Sequence, residues 1–136
     1  MSEPFFRVSL FPFVPHTAGD DPMPVKRILR DAILARSGAF AIGEARERLR
    51  GKKLLVDVAF ALLEGRPGEP DTRGKKDLDN LLKPLLDTLQ GQLDAGGKET
   101  GLGLIPNDDL IYEIRARKDI VTEEAAEGIA LAVYGL

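Results

Sequence analysis

The sequence predicts an α+β domain, a small mixed β-sheet packed with helices. Three observations lead there. Stretches near Phe6–Phe13, Lys53–Leu63, Leu110–Arg117 and Gly128–Tyr134 alternate with the period of two that marks strands. The stretches from Val25 to Ile33 and from Leu78 to Leu89 repeat apolar residues at helical spacing instead. Strands occur both next to one another in sequence and separated by helices, the order expected of a mixed sheet. With 136 residues, 43% of them hydrophobic, a single domain over residues 1–136 is expected. No internal repeat or dividing linker is visible.

The elements follow in order. Phe6, Val8 and Leu10 alternate with Arg7 and Ser9 in a first strand, which Pro12 and Pro15 end. His16 opens a loop and reads as an ordinary loop residue. Asp20 or Asp21 caps a helix that starts near Pro22–Val25, and Gly38 stops it. Glu44 to Arg50 reads as a short polar helix. Its Arg46, Arg48 and Arg50 face either phosphates or, more simply, solvent, balanced by Glu44 and Glu47. Lys53–Leu63 is the clearest strand, with Leu54, Val56, Val58, Phe60 and Leu62 on one face. Only Asp57 interrupts the apolar residues of the other face, and it is expected to be a paired or edge carboxylate.

Gly65 to Lys76 is a net basic loop carrying Arg66, Arg73, Lys75 and Lys76. It leads into a helix over residues 78–90. Gly91–Gly103, with five glycines, forms a second loop. Tyr112, Ile114 and Ala116 alternate with Glu113, Arg115 and Arg117 in the next strand, and Ile129, Leu131 and Val133 share one face of the last.

Composition narrows the chemistry. There are no cysteines and one histidine, so disulfides, thiolate metal sites and multi-histidine zinc sites are not expected. Any metal would be held by carboxylate oxygens, which favours Mg²⁺ or Mn²⁺. No apolar run approaches the roughly 20 residues that span a membrane. No secretory signal is visible either, and a cytoplasmic location is the expectation. The net charge of −3 argues mildly against non-specific nucleic-acid binding, although a local basic rim can still hold phosphate.

The chemistry concentrates at Lys75–Lys83. On a helix from residue 78, the leucines at 78, 81, 82, 85, 86 and 89 form one stripe, and Asp79, Lys83 and Asp87 lie opposite. Asp77 meets Asp79 only if it sits ahead of the first turn, as an N-cap. Capping and favourable charge at the helix N-terminus account for both acids on spacing alone. An Asx-rich turn likewise accounts for Asp108-Asp109 before the next strand. Together the acids and the lysine also form a kit for metal-assisted phosphodiester hydrolysis: oxygen ligands for a divalent ion and a cation for the phosphate.

The ordered set Lys76-Asp77-Leu78-Asp79-Asn80-Leu81-Leu82-Lys83, Leu86-Asp87-Thr88-Leu89 and Asn107-Asp108-Asp109 resembles the RusA family of Holliday junction resolvases, endodeoxyribonucleases of bacteria and phages. The resemblance covers roughly residues 53–118. It implies a small homodimer that resolves four-way DNA junctions by Mg²⁺-dependent paired nicking. The catalytic acids carry over onto Asp77, Asp79 and Asp109, and the essential lysine onto Lys83. Asp108 is a further candidate metal ligand, and Asp87 matches a recurring position. Arg66, Arg73, Lys75 and Lys76, with Lys83, would contact the DNA backbone. Three features differ from the family pattern: Pro84 directly after the lysine, a longer stretch from Gly91 to Pro106, and the acidic balance. Two other readings stay open, an inactive DNA-binding or scaffold protein of this fold and a metal-dependent hydrolase of small phosphate esters.

Overall fold

The computed structural model describes residues 3–17, 23–64, 77–90, 101–106 and 108–136. Its elements in chain order are β1 (Phe6–Leu10), α1 (Met23–Ser37), α2 (Ala39–Leu49), β2 (Leu54–Leu63), α3 (Leu78–Gln90), β3 (Ile111–Val121) and β4 (Gly128–Gly135). Short 3₁₀ turns at Asp108–Leu110 and Glu124–Ala126 precede β3 and β4. The fold is α+β, as the sequence predicts.

The four strands form one mixed sheet in the order β1-β4-β2-β3. β4 runs antiparallel to both β1 and β2, and β3 pairs parallel to β2. Parallel pairing requires a crossover, and α3 lies on it. One face of the sheet is the core face. Along β2 its residues are Leu54, Val56, Val58, Phe60 and Leu62, all buried. In register beside them stand Val133, Leu131 and Ile129 of β4, then Phe6, Val8 and Leu10 of β1. The helices close this layer with Leu29 and Ile33 of α1, Ile42 and Leu49 of α2, and Leu81, Leu85 and Leu89 of α3.

Four boundaries differ from the sequence expectation. β1 ends at Leu10 rather than Phe13, and β3 runs on to Val121. α2 begins at Ala39, not Glu44, and it is amphipathic rather than polar, burying Ile42, Ala45 and Leu49. Gly38 explains the early start. At φ 85° it adopts a backbone that favours glycine, ends α1 through Gly38 N–H to the Leu34 carbonyl (2.8 Å), and offers its own carbonyl to Ile42 N–H (3.2 Å). Last, the end of the expected Gly91–Gly103 loop belongs to the core. Leu102, Leu104 and Ile105 are fully buried, and their N–H groups donate to the Thr88 and Leu89 carbonyls at 2.8–3.0 Å. They therefore satisfy carbonyls that the end of α3 leaves without helical partners. Arg46 fixes the same segment from α2, donating to the carbonyls of Gly103 (2.6 Å) and Leu102 (3.2 Å).

Glu127 is a buried carboxylate at the entry to β4, and its Oε2 accepts the Leu63 N–H at the end of β2 (3.2 Å). Glu127→Ala leaves that N–H without this acceptor and is expected to cost about 1–3 kcal/mol in urea denaturation. Glu127→Gln keeps an acceptor oxygen and should cost less. Equal losses from both variants would disprove this role for the hydrogen bond. Among the described residues, no helix is long and apolar enough to cross a membrane.

Candidate active site

Asp77 lies immediately ahead of α3, and its carbonyl accepts the Leu81 N–H (3.1 Å). This is the N-cap position that helical geometry requires if Asp77 is to approach Asp79. Asp79 is in the first turn of α3, where a carboxylate opposes the positive end of the helix. Its Oδ1 accepts the Asn80 N–H (3.0 Å). Asp77, Asp79 and Lys83 are all exposed.

α3 is strongly amphipathic. Leu81, Leu85 and Leu89 go into the core, and the opposite side borders β3. Between them runs a groove of about 590 Å³. Asp79, Lys83 and Asp87 line its helix side, and Ile111 and Ile114 line its strand side. The apolar floor comes from Leu82 and Leu86, half-buried at the margin of the leucine stripe. Successive members of the i, i+4, i+8 series are about 6 Å apart along the axis, so Lys83 stands one turn from each acid.

Pro84 lies inside α3, which continues to Gln90. It has no N–H for the Asn80 carbonyl, so that oxygen is left without its helical donor one turn below Lys83. Thr88 is fully buried, and its hydroxyl donates to the Pro84 carbonyl (2.7 Å).

The second acidic pair lies in the 3₁₀ turn that leads into β3. Asp109 is exposed, and two residues later Ile111 lines the groove. The Asp108 side chain lies outside the described part of the structure, as do Arg66, Arg73, Lys75 and Lys76. Asp57 is elsewhere, on the sheet face away from the helices, in register with Arg115 of β3. Among the described residues no three carboxylate or imidazole groups gather closely enough to hold one metal ion. The donors available are all carboxylate oxygens, which suits a hard divalent cation.

One comparison bears on this arrangement. Over 95 residues the chain is 30% identical to the crossover junction endodeoxyribonuclease RusA of Aquifex aeolicus, across 70% of this chain and 63% of that protein. The similarity supports a relationship to the RusA family. The chain spans just under two thirds of the length of that RusA protein. No family model matches the chain. The two blocks that carry the RusA-like pattern, Asp77–Lys83 and Asp108–Asp109, are the start of α3 and the turn before β3.

Two features of this region are not legible in the sequence. The first is the strand partner of the acidic helix face. Ile111 and Ile114 have the alternation of any strand, and nothing local says which helix they border. The second is the anchoring of residues 102–105 on the end of α3. A run of Leu102, Leu104 and Ile105 within a glycine-rich stretch is the one local signal of it.

Proposed function

We propose that this protein is a RusA-like, metal-dependent endodeoxyribonuclease that resolves four-way DNA junctions. The observation that carries the proposal is the similarity to a RusA nuclease in a chain whose α3 presents Asp79, Lys83 and Asp87 along one groove against β3. Asp77, Asp79, Asp109 and Asp108 are the proposed ligands of Mg²⁺, with Mn²⁺ as a substitute. A bound divalent ion supplies charge neutralisation at the phosphoryl oxygen and a water made acidic enough to attack at neutral pH. Lys83 contacts the scissile phosphate or the leaving oxygen, where a fixed cation offsets developing negative charge. Leu82, Leu86, Ile111 and Ile114 give the groove an apolar side, which with DNA bound would lower the local dielectric and strengthen that interaction. Arg66, Arg73, Lys75 and Lys76 track the backbone of the arms. A four-way junction has two strands to cut symmetrically, so the acting form is a two-fold homodimer.

The test is a gel assay of the wild-type chain on a synthetic four-way junction and on linear duplex of the same sequence. Paired nicks in the junction arms that need Mg²⁺ or Mn²⁺, with little cutting of linear duplex, are the expected result. A shifted band without nicks at millimolar metal would favour a DNA-binding protein that has lost cleavage. Neither binding nor cutting would sink the assignment.

A further inference from the structure

A second groove lies at the opposite edge of the sheet from the candidate active site. It is about 620 Å³, larger than the groove along α3, and is open to solvent between the outer edge of β1 and the junction of α1 with α2. Three arginines from three elements line it: Arg7 of β1, Arg36 of α1 and Arg48 of α2. Ser9 and Ser37 add hydroxyls, and Glu44 is the one acidic lining residue among those described.

Neighbouring arginines of α2 are occupied elsewhere. Arg46 is held by two backbone carbonyls and Arg50 by Glu47 (2.9 Å). Arg36 donates to the Phe11 carbonyl (3.3 Å). Arg7 and Arg48 are exposed and take part in no ion pair among the described residues. Both line the groove with their charge unpaired by any carboxylate among the described residues, although Glu44 lies one turn from Arg48 on α2.

We infer that this groove binds the phosphate backbone of DNA, as a contact separate from the cleavage site. Guanidinium forks match phosphate oxygens two at a time, and serine hydroxyls supply further donors of the kind that positions a backbone. Arginines spread over three elements offer several separate phosphate contacts, which suits a polyanion better than a small anion. The choice of DNA as the polyanion rests on the proposed nuclease function. Geometry agrees with it: β1 and β3 are three interstrand spacings apart, about 14 Å, so one protomer would hold DNA at both edges of its sheet. Arg7 and Ser9 also border a trough on the sheet face away from the helices, lined by Asp57, Ala59 and Ala130, with Arg117 of β3 among its other lining residues. A strand leaving the groove thus meets small side chains and one further arginine on its way toward β3.

The test measures affinity for a fluorescent four-way junction in EDTA at several salt concentrations. It compares the wild-type chain, Arg7→Gln/Arg48→Gln and Arg7→Lys/Arg48→Lys. Both positions are exposed, so thermal melts of the three proteins should coincide. The glutamine variant is expected to bind several-fold more weakly, with a plot of log affinity against log salt shallower by roughly 2, about 0.9 for each phosphate no longer neutralised. The lysine variant should keep the wild-type slope. Wild-type affinity and slope in the glutamine variant would overturn the groove and leave the nuclease reading intact. Junction binding that depends on the groove without cleavage in Mg²⁺ would uphold the groove and overturn the nuclease reading. No DNA binding by the wild-type chain, or loss of an acidic peptide rather than DNA in the glutamine variant, would overturn the groove as a DNA site.

Discussion

Asp79→Asn is expected to give a protein that folds and holds a four-way junction but no longer cuts it. Asparagine preserves shape and one oxygen while removing the charge that would help hold a divalent ion. Losing several kcal/mol of metal-dependent stabilisation corresponds to a fall in cleavage of about a thousandfold or more. The fold should tolerate the change, because the side chain is exposed and accepts only a local hydrogen bond from the Asn80 N–H. Losing a charge from the first turn costs about 0.3–1 kcal/mol. Single-turnover cleavage at saturating protein, with affinity measured in EDTA, separates the two effects. Wild-type cleavage by the variant in Mg²⁺ would end the assignment of Asp79. Lys83→Met completes the comparison. It leaves the carboxylates in place and should lower the cleavage rate by about a hundredfold or more, if Lys83 has the proposed role of offsetting developing charge.

The largest stability effect is expected at Phe60. It sits near the centre of β2, between Ile129 of β4 and Lys118 of β3 in register, and is almost fully buried. Phe60→Ala removes a ring from the layer between sheet and helices and leaves a cavity. The expected loss is about 3–5 kcal/mol, against a total of about 5–15 kcal/mol for an ordinary domain. Urea denaturation should show a lower midpoint with an unchanged slope. A loss under about 1 kcal/mol would mean that β2 is not the central core strand.

β2 was legible because its residues signal twice: one face is continuously apolar, and the other is broken only by Asp57. α3 was legible from its leucine stripe; the same arithmetic placed Asp79, Lys83 and Asp87 on one face and required Asp77 to lie ahead of the helix if it was to meet Asp79. The start of α2 was not, because Gly38 ends one helix and begins the next, whereas a single glycine reads only as a stop. Nor was the position of β4 between β1 and β2. That pairing joins residues more than a hundred apart at the β1 edge, and long-range pairing leaves no local periodicity. The groove of Arg7, Arg36 and Arg48 was invisible for the same reason, since its arginines come from three separate elements. Of the candidate site, the residue types and the helical face could be read from sequence. The strand opposite them could not.

The anchoring of Leu102 onto the end of α3 has a consequence for how this chain can vary. Residues 90 and 101 bracket ten positions, and the Leu102 N–H returns to the Thr88 carbonyl (2.8 Å). The chain thus returns at Leu102 to the end of the helix that Gln90 closes. For a stretch without contacts of its own, added length would cost only the entropy of closing a longer ring, about 0.6 kcal/mol per doubling. Residues 102–105, fixed on the Thr88 and Leu89 carbonyls, stand between positions 91–100 and the turn bearing Asp109. Changes of length between residues 90 and 101 that keep this anchor should therefore leave the spacing between the acidic helix and the acidic turn unchanged.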